Sequence, residues 1–272
     1  NFKNSKIDFR ALNGIGGDHT LKLEGEAKFG DKFEKIKIHV IGDTIIDSYT
    51  KSILIGGYTK TPTPSVLYQN STDYVGGAGI VAKHLKSANS KVVFTTVLGN
   101  DNLKKFVIKE MKKSKIKLNM IIDKTRPTTN KNTIISNNYK LLKIDKLDNQ
   151  PISQKIINKI KNYIISEKVD AVIFSDFRHG IFNQTSIPTF VSSIDNKIFK
   201  AADSQVATRW GNITDYKEFD LVTPNEREIR FSLADQDSSL SDMTRQLTSI
   251  MNFKNLILKV GEKGIFSVNN KG

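Results

Sequence analysis

Residues 36–43 read Ile-Lys-Ile-His-Val-Ile-Gly-Asp. This β-rich run predicts a strand that ends at Gly42-Asp43. Further short apolar runs of the same kind follow, and helical patterns of about 10–15 residues separate several of them. Such alternation favours a mostly parallel sheet with helices on both faces. The predicted strands are residues 36–41, 92–98, 171–174, 197–202, 221–222 and 256–260, and the clearest helices are residues 103–114 and 152–166.

Two stretches interrupt the alternation of strands and helices. Residues 52–69 and 132–144 carry β-type patterns with turn residues and no helical periodicity. In the second stretch, Asn137-Asn138 separates two β-rich runs, which is a hairpin signature. We therefore expect a small β-sheet lid beside the main sheet, formed by about residues 52–69 and 130–145. Its open edges and apolar face predict that a second copy of the chain covers it.

The ends of the chain and its composition limit the alternatives. Residues 1–35 are polar and rich in glycine, which predicts an extension or linker before a domain of residues 36–272. The chain has no Cys, which excludes disulfides, thiolate metal sites and Cys nucleophiles. No apolar run reaches membrane-spanning length, and the N-terminus lacks a signal-peptide layout. We expect a cytoplasmic protein without a membrane partner.

The net charge of +14 raises the hypothesis of nucleic-acid binding. The lysines, however, are spread along the chain and form no basic stripe with interleaved aromatic residues. No zinc-finger or RNA-binding motif is present either. We interpret most of the charge as a solvated lysine surface, with some lysines left to attract an anionic small molecule. Nucleic-acid binding stays the weaker alternative.

Gly76-Gly77-Ala78-Gly79 follows a β-rich run and opens a helical pattern. Glycine allows the backbone to approach a ligand closely, and a helix N-terminus presents free N–H groups. An electron-rich ligand such as a sugar hydroxyl or a phosphate would fit there. A tight turn between a strand and a helix explains the same residues equally well, so the segment alone leaves both interpretations open.

Polar residues follow the ends of several predicted strands. In parallel α/β sheets, ligands bind beyond these carboxyl ends. Asn225 and Glu228 lie one helical turn apart after the strand at residues 221–222, where an amide and a carboxylate could hold phosphate or Mg²⁺-bound water. A helix cap with a capping-box Glu is the alternative, and it is favoured if these two residues are taken alone. The other candidates are Asp43, Asp47, Gly76, Gly77, Asn100, Asp101, Asp176, Asp203, Gly261 and Gly264.

Taken in order, seven segments resemble motifs of the ribokinase-like (PfkB) family of carbohydrate kinases, most closely the sugar kinases of heptose-nucleotide synthesis. The segments are VIGDTIID (40–47), GGAG (76–79), PTTNK (127–131), YKLLKID (139–145), FSDFRHG (174–180), TPNERE (223–228) and LKVGEKG (258–264). The resemblance covers residues 36–272. It implies a three-layer α/β/α Rossmann-like domain with a small β-sheet lid.

The resemblance also implies a function, which is ATP- and Mg²⁺-dependent phosphorylation of a sugar or sugar phosphate, and it implies roles for individual residues. The residues implied in acceptor binding are Asp43, Asp47, Gly76, Gly77 and Asp176, with Lys131 and Lys143 reaching from the lid. Those implied in nucleotide and phosphate binding are Asn225, Glu228, Lys259, Gly261 and Gly264. Glu228 would hold the metal through water.

Three positions depart from the family pattern. Ile80 stands where Asn is usual, Thr133 replaces an expected Arg, and Asp203-Ser204-Gln205 replaces a run such as Asp-Pro-Lys. These departures bear on the identity of the sugar more than on the fold.

The family's Gly-Ala-Gly-Asp loop, which would supply the catalytic Asp and an anion hole, has no match in the sequence. We therefore expect the sequence to be part of a longer kinase, whose catalytic residue is unknown. The alternative is a non-catalytic relative that binds a sugar or nucleotide. Some relatives are fused to a nucleotidyltransferase domain, and residues 1–35 would then be a linker.

Overall fold

The computed structural model describes residues 36–56, 63–206 and 211–269. Among these, eight strands form one sheet in the order β12-β11-β10-β9-β8-β1-β4-β5. All neighbours in it are parallel except β11 and β12, which are antiparallel. The strands are β1 (Lys37–Gly42), β4 (Lys91–Leu98), β5 (Lys117–Ile122), β8 (Ala171–Asp176), β9 (Phe199–Ser204), β10 (Leu221–Val222), β11 (Asn255–Lys259) and β12 (Ile265–Asn269).

A second, four-stranded sheet forms the lid, with strand order β3-β2-β6-β7. Its strands are β2 (Thr44–Gly56), β3 (Ser65–Gly77), β6 (Asn130–Ser136) and β7 (Tyr139–Lys146). The hairpin turn at Asn137-Asn138 uses positive φ at both residues, as a tight two-residue hairpin turn requires. The central pair, β2 and β6, is parallel, and both outer pairs are antiparallel.

Helices cover both faces of the main sheet. They are α1 (Ala78–Ser87), α2 (Asn102–Lys113), α3 (Gln154–Ser166), α4 (Ser186–Val191), α5 (Glu226–Leu233) and α6 (Leu240–Met251). Side chains of a strand alternate between its faces. Accordingly, Ile41 packs in the core beneath α3 to α6, whereas its neighbour Val40 packs in the core beneath α1 and α2. The predicted three-layer α/β/α architecture is confirmed.

The lid is larger than the sequence indicated. The chain leaves β1 at Gly42 and enters β2 at Thr44, so the lid begins before the expected residue 52 and extends to Gly77 rather than 69. Asp47, Gly76 and Gly77 therefore belong to lid strands. The close packing of β1 on β8 explains Gly42, since a Cβ atom there would collide with the backbone oxygen of Ser175.

The expected extension, residues 1–35, lies outside the described residues. Across the described part of the chain, the structure contains no helix that is both long and apolar enough to cross a membrane.

Candidate active site

The carboxyl ends of five neighbouring strands form one continuous rim. The strands lie in the order β1, β8, β9, β10 and β11, so residues that follow them meet at the same edge of the sheet. The polar residues at this rim are Asp43, Asp176, Asp203, Asn225 and Lys259. The lid rises from the β1 end, which places Asp47 and the lid lysines on that side and Asn225, Glu228 and Lys259 on the other.

Asp43 is enclosed by the loop that follows β8. Its Oδ2 accepts hydrogen bonds from the backbone N–H groups of Phe177 at 3.1 Å and His179 at 3.2 Å. Burial, together with the negative charge of Asp176, raises the pKa of Asp43 to about 7. Asp43 therefore fixes the path of this loop, and its predicted contact with substrate stays a prediction.

Asp176 is 0% exposed and lies at the centre of a polar network. It accepts hydrogen bonds from the Tyr216 hydroxyl at 2.8 Å and from Ser204 Oγ at 3.1 Å. Burial raises the pKa of Asp176, and the charge of Arg178 opposes the increase. Since these contacts enclose the carboxylate, the structure gives it a local positioning role, and acceptor binding by Asp176 stays a prediction.

Arg178 joins this network from an unusual backbone conformation. Its φ of 56° lies in the left-handed region, which non-glycine residues rarely adopt. The guanidinium Nε lies 2.8 Å from Asp176 Oδ2 as an ion pair without an aligned hydrogen bond, and Nη2 donates to Asp215 Oδ2 at 2.8 Å. The surrounding carboxylates thus hold the loop in a conformation that the sequence alone did not suggest.

Asp47 lies in β2 opposite Lys131 of β6, and Lys131 lies opposite Asp145 of β7. Partial burial raises the pKa of Asp47, while the nearby charges of Lys131 and Lys143 act to lower it. The structure therefore brings together three predicted acceptor residues, Asp47, Lys131 and Lys143, in one region of the lid.

The diglycine segment forms the junction between β3 and α1. Gly77 has a φ of 59°, and a Cβ atom there would collide with the backbone oxygen of Asp43. That same oxygen accepts the hydrogen bond from Ala78 N, at 2.9 Å. The segment therefore makes the tight turn that was one of its two interpretations, and ligand binding by Gly76 and Gly77 stays a prediction.

At the other end of the rim, Asn225 and Glu228 form a complete capping box at the start of α5. Asn225 Oδ1 accepts from Glu228 N at 2.8 Å, and Glu228 Oε2 accepts from Asn225 N at 2.7 Å. Glu228 is buried, and burial raises its pKa. The favoured structural interpretation of this pair is thus correct, and its role in phosphate binding is compatible with it but untested.

A groove of about 1000 Å³ adjoins the capping box, lined by residues of α5 and by Lys259, Val260 and Gly261. The Lys259 ammonium lies 2.8 Å from Asp203 Oδ1, which also accepts from the Thr223 hydroxyl at 3.2 Å. Gly261 and Gly264 have positive φ, at 61° and 93°, and a Cβ atom at either would meet no other atom within 4 Å. This open, partly cationic groove can accommodate a phosphate-bearing ligand.

The sequence patterns did not indicate three residues that lie near the lid end of the rim, where the acceptor residues were predicted. Arg178 and His179 lie within the segment at residues 174–180, but no periodicity or spacing marked them. Arg126 Nη1 donates to the backbone oxygen of His179 at 3.3 Å, and its Nη2 donates to the backbone oxygen of Gln150 at 3.1 Å. Arg126 thereby connects the segments that enter and leave the β6–β7 hairpin, a contact between residues distant in sequence.

Comparison with known proteins gives consistent results. A family model described as pfkB family carbohydrate kinase matches residues 35–272. The chain is 28% identical over 235 residues to the bifunctional protein HldE of Helicobacter pylori (strain J99), covering 84% of this chain and 50% of that protein. It is 25% identical over 240 residues to HldE of Bradyrhizobium diazoefficiens, covering 85% and 48%. The chain thus spans about half the length of these curated relatives.

Solved structures show the same fold at lower sequence identity. Phosphofructokinase-2 from Escherichia coli, in complex with fructose-6-phosphate, gives a TM-score of 0.69 at 11% identity, covering 87% of this chain and 78% of that one. Ribokinase from Giardia lamblia gives 0.68 at 14% identity, covering 87% and 77%. The predicted ribokinase-like fold is therefore confirmed.

Proposed function

Because this chain belongs to the pfkB family of carbohydrate kinases, we propose that it takes part in ATP-dependent phosphorylation of a sugar or sugar phosphate. The observation that carries the proposal is the arrangement of the rim. A lid with a carboxylate and two lysines stands at one end, and a groove with Lys259 and the Asn225–Glu228 pair lies at the other. Phosphoryl transfer needs a site for the acceptor and a site for the nucleotide. Its catalysis depends mainly on positioning the two and on neutralising charge.

The acceptor would lie beneath the lid. Asp47 can accept hydrogen bonds from sugar hydroxyls, and Lys131 and Lys143 can attract an anionic group on the same molecule. We propose a phosphorylated sugar of the heptose type. The lid lysines support this choice, and so does the similarity to the HldE proteins.

The nucleotide would lie in the groove beside α5. Lys259 and the N-terminal N–H groups of α5 suit phosphate oxygens, and the carboxylate of Glu228 suits water bound to Mg²⁺. Within the described ranges, no group of three or more His, Cys, Asp or Glu residues is arranged to hold a metal ion. We therefore propose that Mg²⁺ arrives with ATP and is held largely by phosphate oxygens and water, as is common for this ion.

We also propose how the chain assembles with a second copy and which domain accompanies it in the whole protein. Apolar side chains on the outer strands of the lid are exposed, and β3 and β7 are its edge strands in the described part of the chain. A second copy would cover both, which favours a homodimer through the lid.

The HldE relatives are named bifunctional and are about twice as long as the matched region, which supports a fused nucleotidyltransferase domain in the whole protein. A cytoplasmic location would supply ATP.

The test is a thermal-shift screen of the chain with ATP–Mg²⁺ and with hexose and heptose phosphates, followed by an assay of ADP release. We expect stabilisation by ATP–Mg²⁺ and by at least one sugar phosphate. Because the Gly-Ala-Gly-Asp loop has no match in this sequence, ADP release is assayed with the chain and with a longer version that carries such a loop. Binding of both ligands without ADP release by the longer version would favour the alternative, a non-catalytic sugar- or nucleotide-binding relative. Absence of binding by either ligand class would contradict the proposal.

A further inference from the structure

His179 is a buried histidine whose ring has no assigned role in the proposed site. The residue is 5% exposed, and its Nδ1 atom has no hydrogen-bond partner among the described residues. A buried polar atom without a partner is costly, so a native structure seldom retains one without a reason. A ligand that supplies the missing partner is one such reason.

The backbone of His179 is fixed on both sides. Its N–H donates to Asp43 Oδ2 at 3.2 Å, and its carbonyl oxygen accepts from Arg126 Nη1 at 3.3 Å. Gly180 follows with a φ of 106°, and a Cβ atom there would lie 2.7 Å from Arg126 Nη1. The backbone of His179 is therefore held between the rim of the main sheet and the segment that leads into the lid.

Two charged groups of the lid act on this imidazole. Burial, together with the charge of Lys131, lowers the pKa of His179 to about 4, and Asp145 acts in the opposite direction. Lys131 and Asp145 also act on Asp47, which lies in the same row of the lid sheet. The charges of Lys131 and Asp145 thus act on both His179 and Asp47. At neutral pH the imidazole is uncharged, with one N–H donor and one acceptor nitrogen.

We propose that His179 is a substrate-contacting residue, whose imidazole hydrogen-bonds an oxygen of the anionic group that Lys131 and Lys143 attract from the lid. The inference rests on the proposed function and deepens it, since it assigns recognition of the acceptor's phosphate to a residue of the main domain. The neutral ring contributes direction and the lysines contribute charge, so a phosphorylated sugar is distinguished from its parent sugar.

The experiment compares His179→Phe and His179→Gln with the wild type by calorimetry. The probes are fructose 6-phosphate and sedoheptulose 7-phosphate, each beside its unphosphorylated sugar. His179→Phe keeps a planar ring without a hydrogen bond, and we expect at least tenfold weaker binding of the phosphorylated sugar. Affinity for the parent sugar and for ATP–Mg²⁺ should be unchanged. His179→Gln retains a hydrogen-bond donor, so its affinity for the phosphorylated sugar should fall less.

His84→Phe is the matched control, because His84 is an exposed histidine at the end of α1. Melting temperature and ATP–Mg²⁺ affinity report whether each variant is folded. Unchanged affinity for the sugar phosphates in both His179 variants would overturn the inference, and so would an equal loss for phosphorylated and parent sugars. Those results leave the proposed function standing. If the wild type binds none of these sugars, the acceptor site itself is wrong.

Discussion

The Asp47 carboxylate occupies the space that a side chain at position 76 would need. A Cβ atom on Gly76 would lie well under 3.0 Å from Asp47 Oδ2, closer than real Cβ contacts come. The two residues are on adjacent strands of the lid, where Ile45 pairs with Gly76 and Asp47 pairs with Tyr74. Gly76 therefore leaves room for the carboxylate that we propose to bind the acceptor sugar.

Gly76→Ala should displace Asp47 and weaken acceptor binding while preserving the fold. Gly76, unlike Gly77, is not among the glycines with positive φ. Alanine at position 76 therefore introduces the steric conflict with Asp47 but no backbone strain. We expect sugar affinity to fall about tenfold in calorimetry, with ATP–Mg²⁺ affinity retained. Gly77→Ala should instead lower the melting temperature, because it combines the strained φ of 59° with a collision with the Asp43 backbone. Equal sugar affinity in Gly76→Ala and wild type would contradict the first expectation.

Removal of the Asp47 carboxylate tests its role directly. A hydrogen bond to a charged group contributes about 1.5–3 kcal/mol, so Asp47→Ala should weaken sugar binding at least tenfold. Its fold should be preserved, since the side chain is only partly buried. The double variant Asp47→Ala/Gly76→Ala should bind no more weakly than Asp47→Ala alone, because both changes remove the same contact. Full additivity of the two losses would show that Gly76 acts by another route.

The protonation of Asp43 should leave a signature in the pH dependence of stability. The pKa of Asp43 is about 7 in the folded protein against an ordinary value of 3.8, so the folded state binds the proton more tightly than the unfolded state. The free energy of unfolding should therefore fall as pH rises from about 4 to about 7, by about 1.4 kcal/mol for each unit of pKa difference.

Asp43→Asn isolates this effect because asparagine retains an oxygen to accept from Phe177 and His179. The measurement is the difference in unfolding free energy between wild type and variant across this pH range. His39 and His179, whose pKa values burial lowers to about 4, change stability in the opposite direction below about pH 6.5, and the difference removes their contribution. A difference that is constant with pH would show that Asp43 titrates normally.

A dimer through the lid should depend on the exposed apolar side chains of β7. Ile144 is 53% exposed on this edge strand, so Ile144→Asp should convert a dimer to a monomer in light scattering at micromolar concentration. Ile165→Asp is the matched control, because Ile165 is 60% exposed but lies on α3, away from the lid. A wild-type monomer under the same conditions, or dissociation by both variants, would contradict assembly through the lid.

Local patterns predicted most of the fold, and the reasons for the exceptions are physical. Strand β4 was expected at residues 92–98 and spans Lys91–Leu98, because a buried parallel strand is a nearly continuous run of apolar and β-branched residues. The early start of the lid was missed because β2 follows β1 after a single residue, without a turn motif. The Arg178–Asp215 contact at 2.8 Å joins residues 37 positions apart, which no local pattern reports.

In the candidate site as well, local patterns predicted some features, whereas contacts between distant residues determined the others. The ends of strands, and with them Asp43, Asn225 and Lys259, follow from the order of elements and could be anticipated. The environment of each group could not, because burial and partners come from distant segments. Asp176 illustrates this: Ser204 and Tyr216, far along the chain, supply the hydrogen bonds that enclose it.

Glu228 allows a structural role and a functional role to be separated, because its capping box does not require a charge. Gln is as acceptable as Glu at the third position of a capping box, so Glu228→Gln should keep the cap of α5 with Asn225. We therefore expect the melting temperature of Glu228→Gln to stay close to that of the wild type. Its affinity for ATP–Mg²⁺ should fall about tenfold, while its affinity for ATP without Mg²⁺ changes little, because the lost charge acts through the metal's water.

Glu226→Gln is the matched control for this prediction. Glu226 lies in the same first turn of α5 and pairs with Arg230 Nη2 at 2.8 Å on a partly exposed face. Glu226 also lines the groove, so neutralising it changes the charge of the same site without touching the capping box, and the dependence of nucleotide binding on Mg²⁺ should be retained. If the affinity for ATP–Mg²⁺ falls equally in both variants, the loss comes from the negative charge in the first turn of α5 in general and not from Glu228 in particular. If neither does, Glu228 serves only as a cap, and the metal is held by phosphate oxygens, water and residues other than this carboxylate.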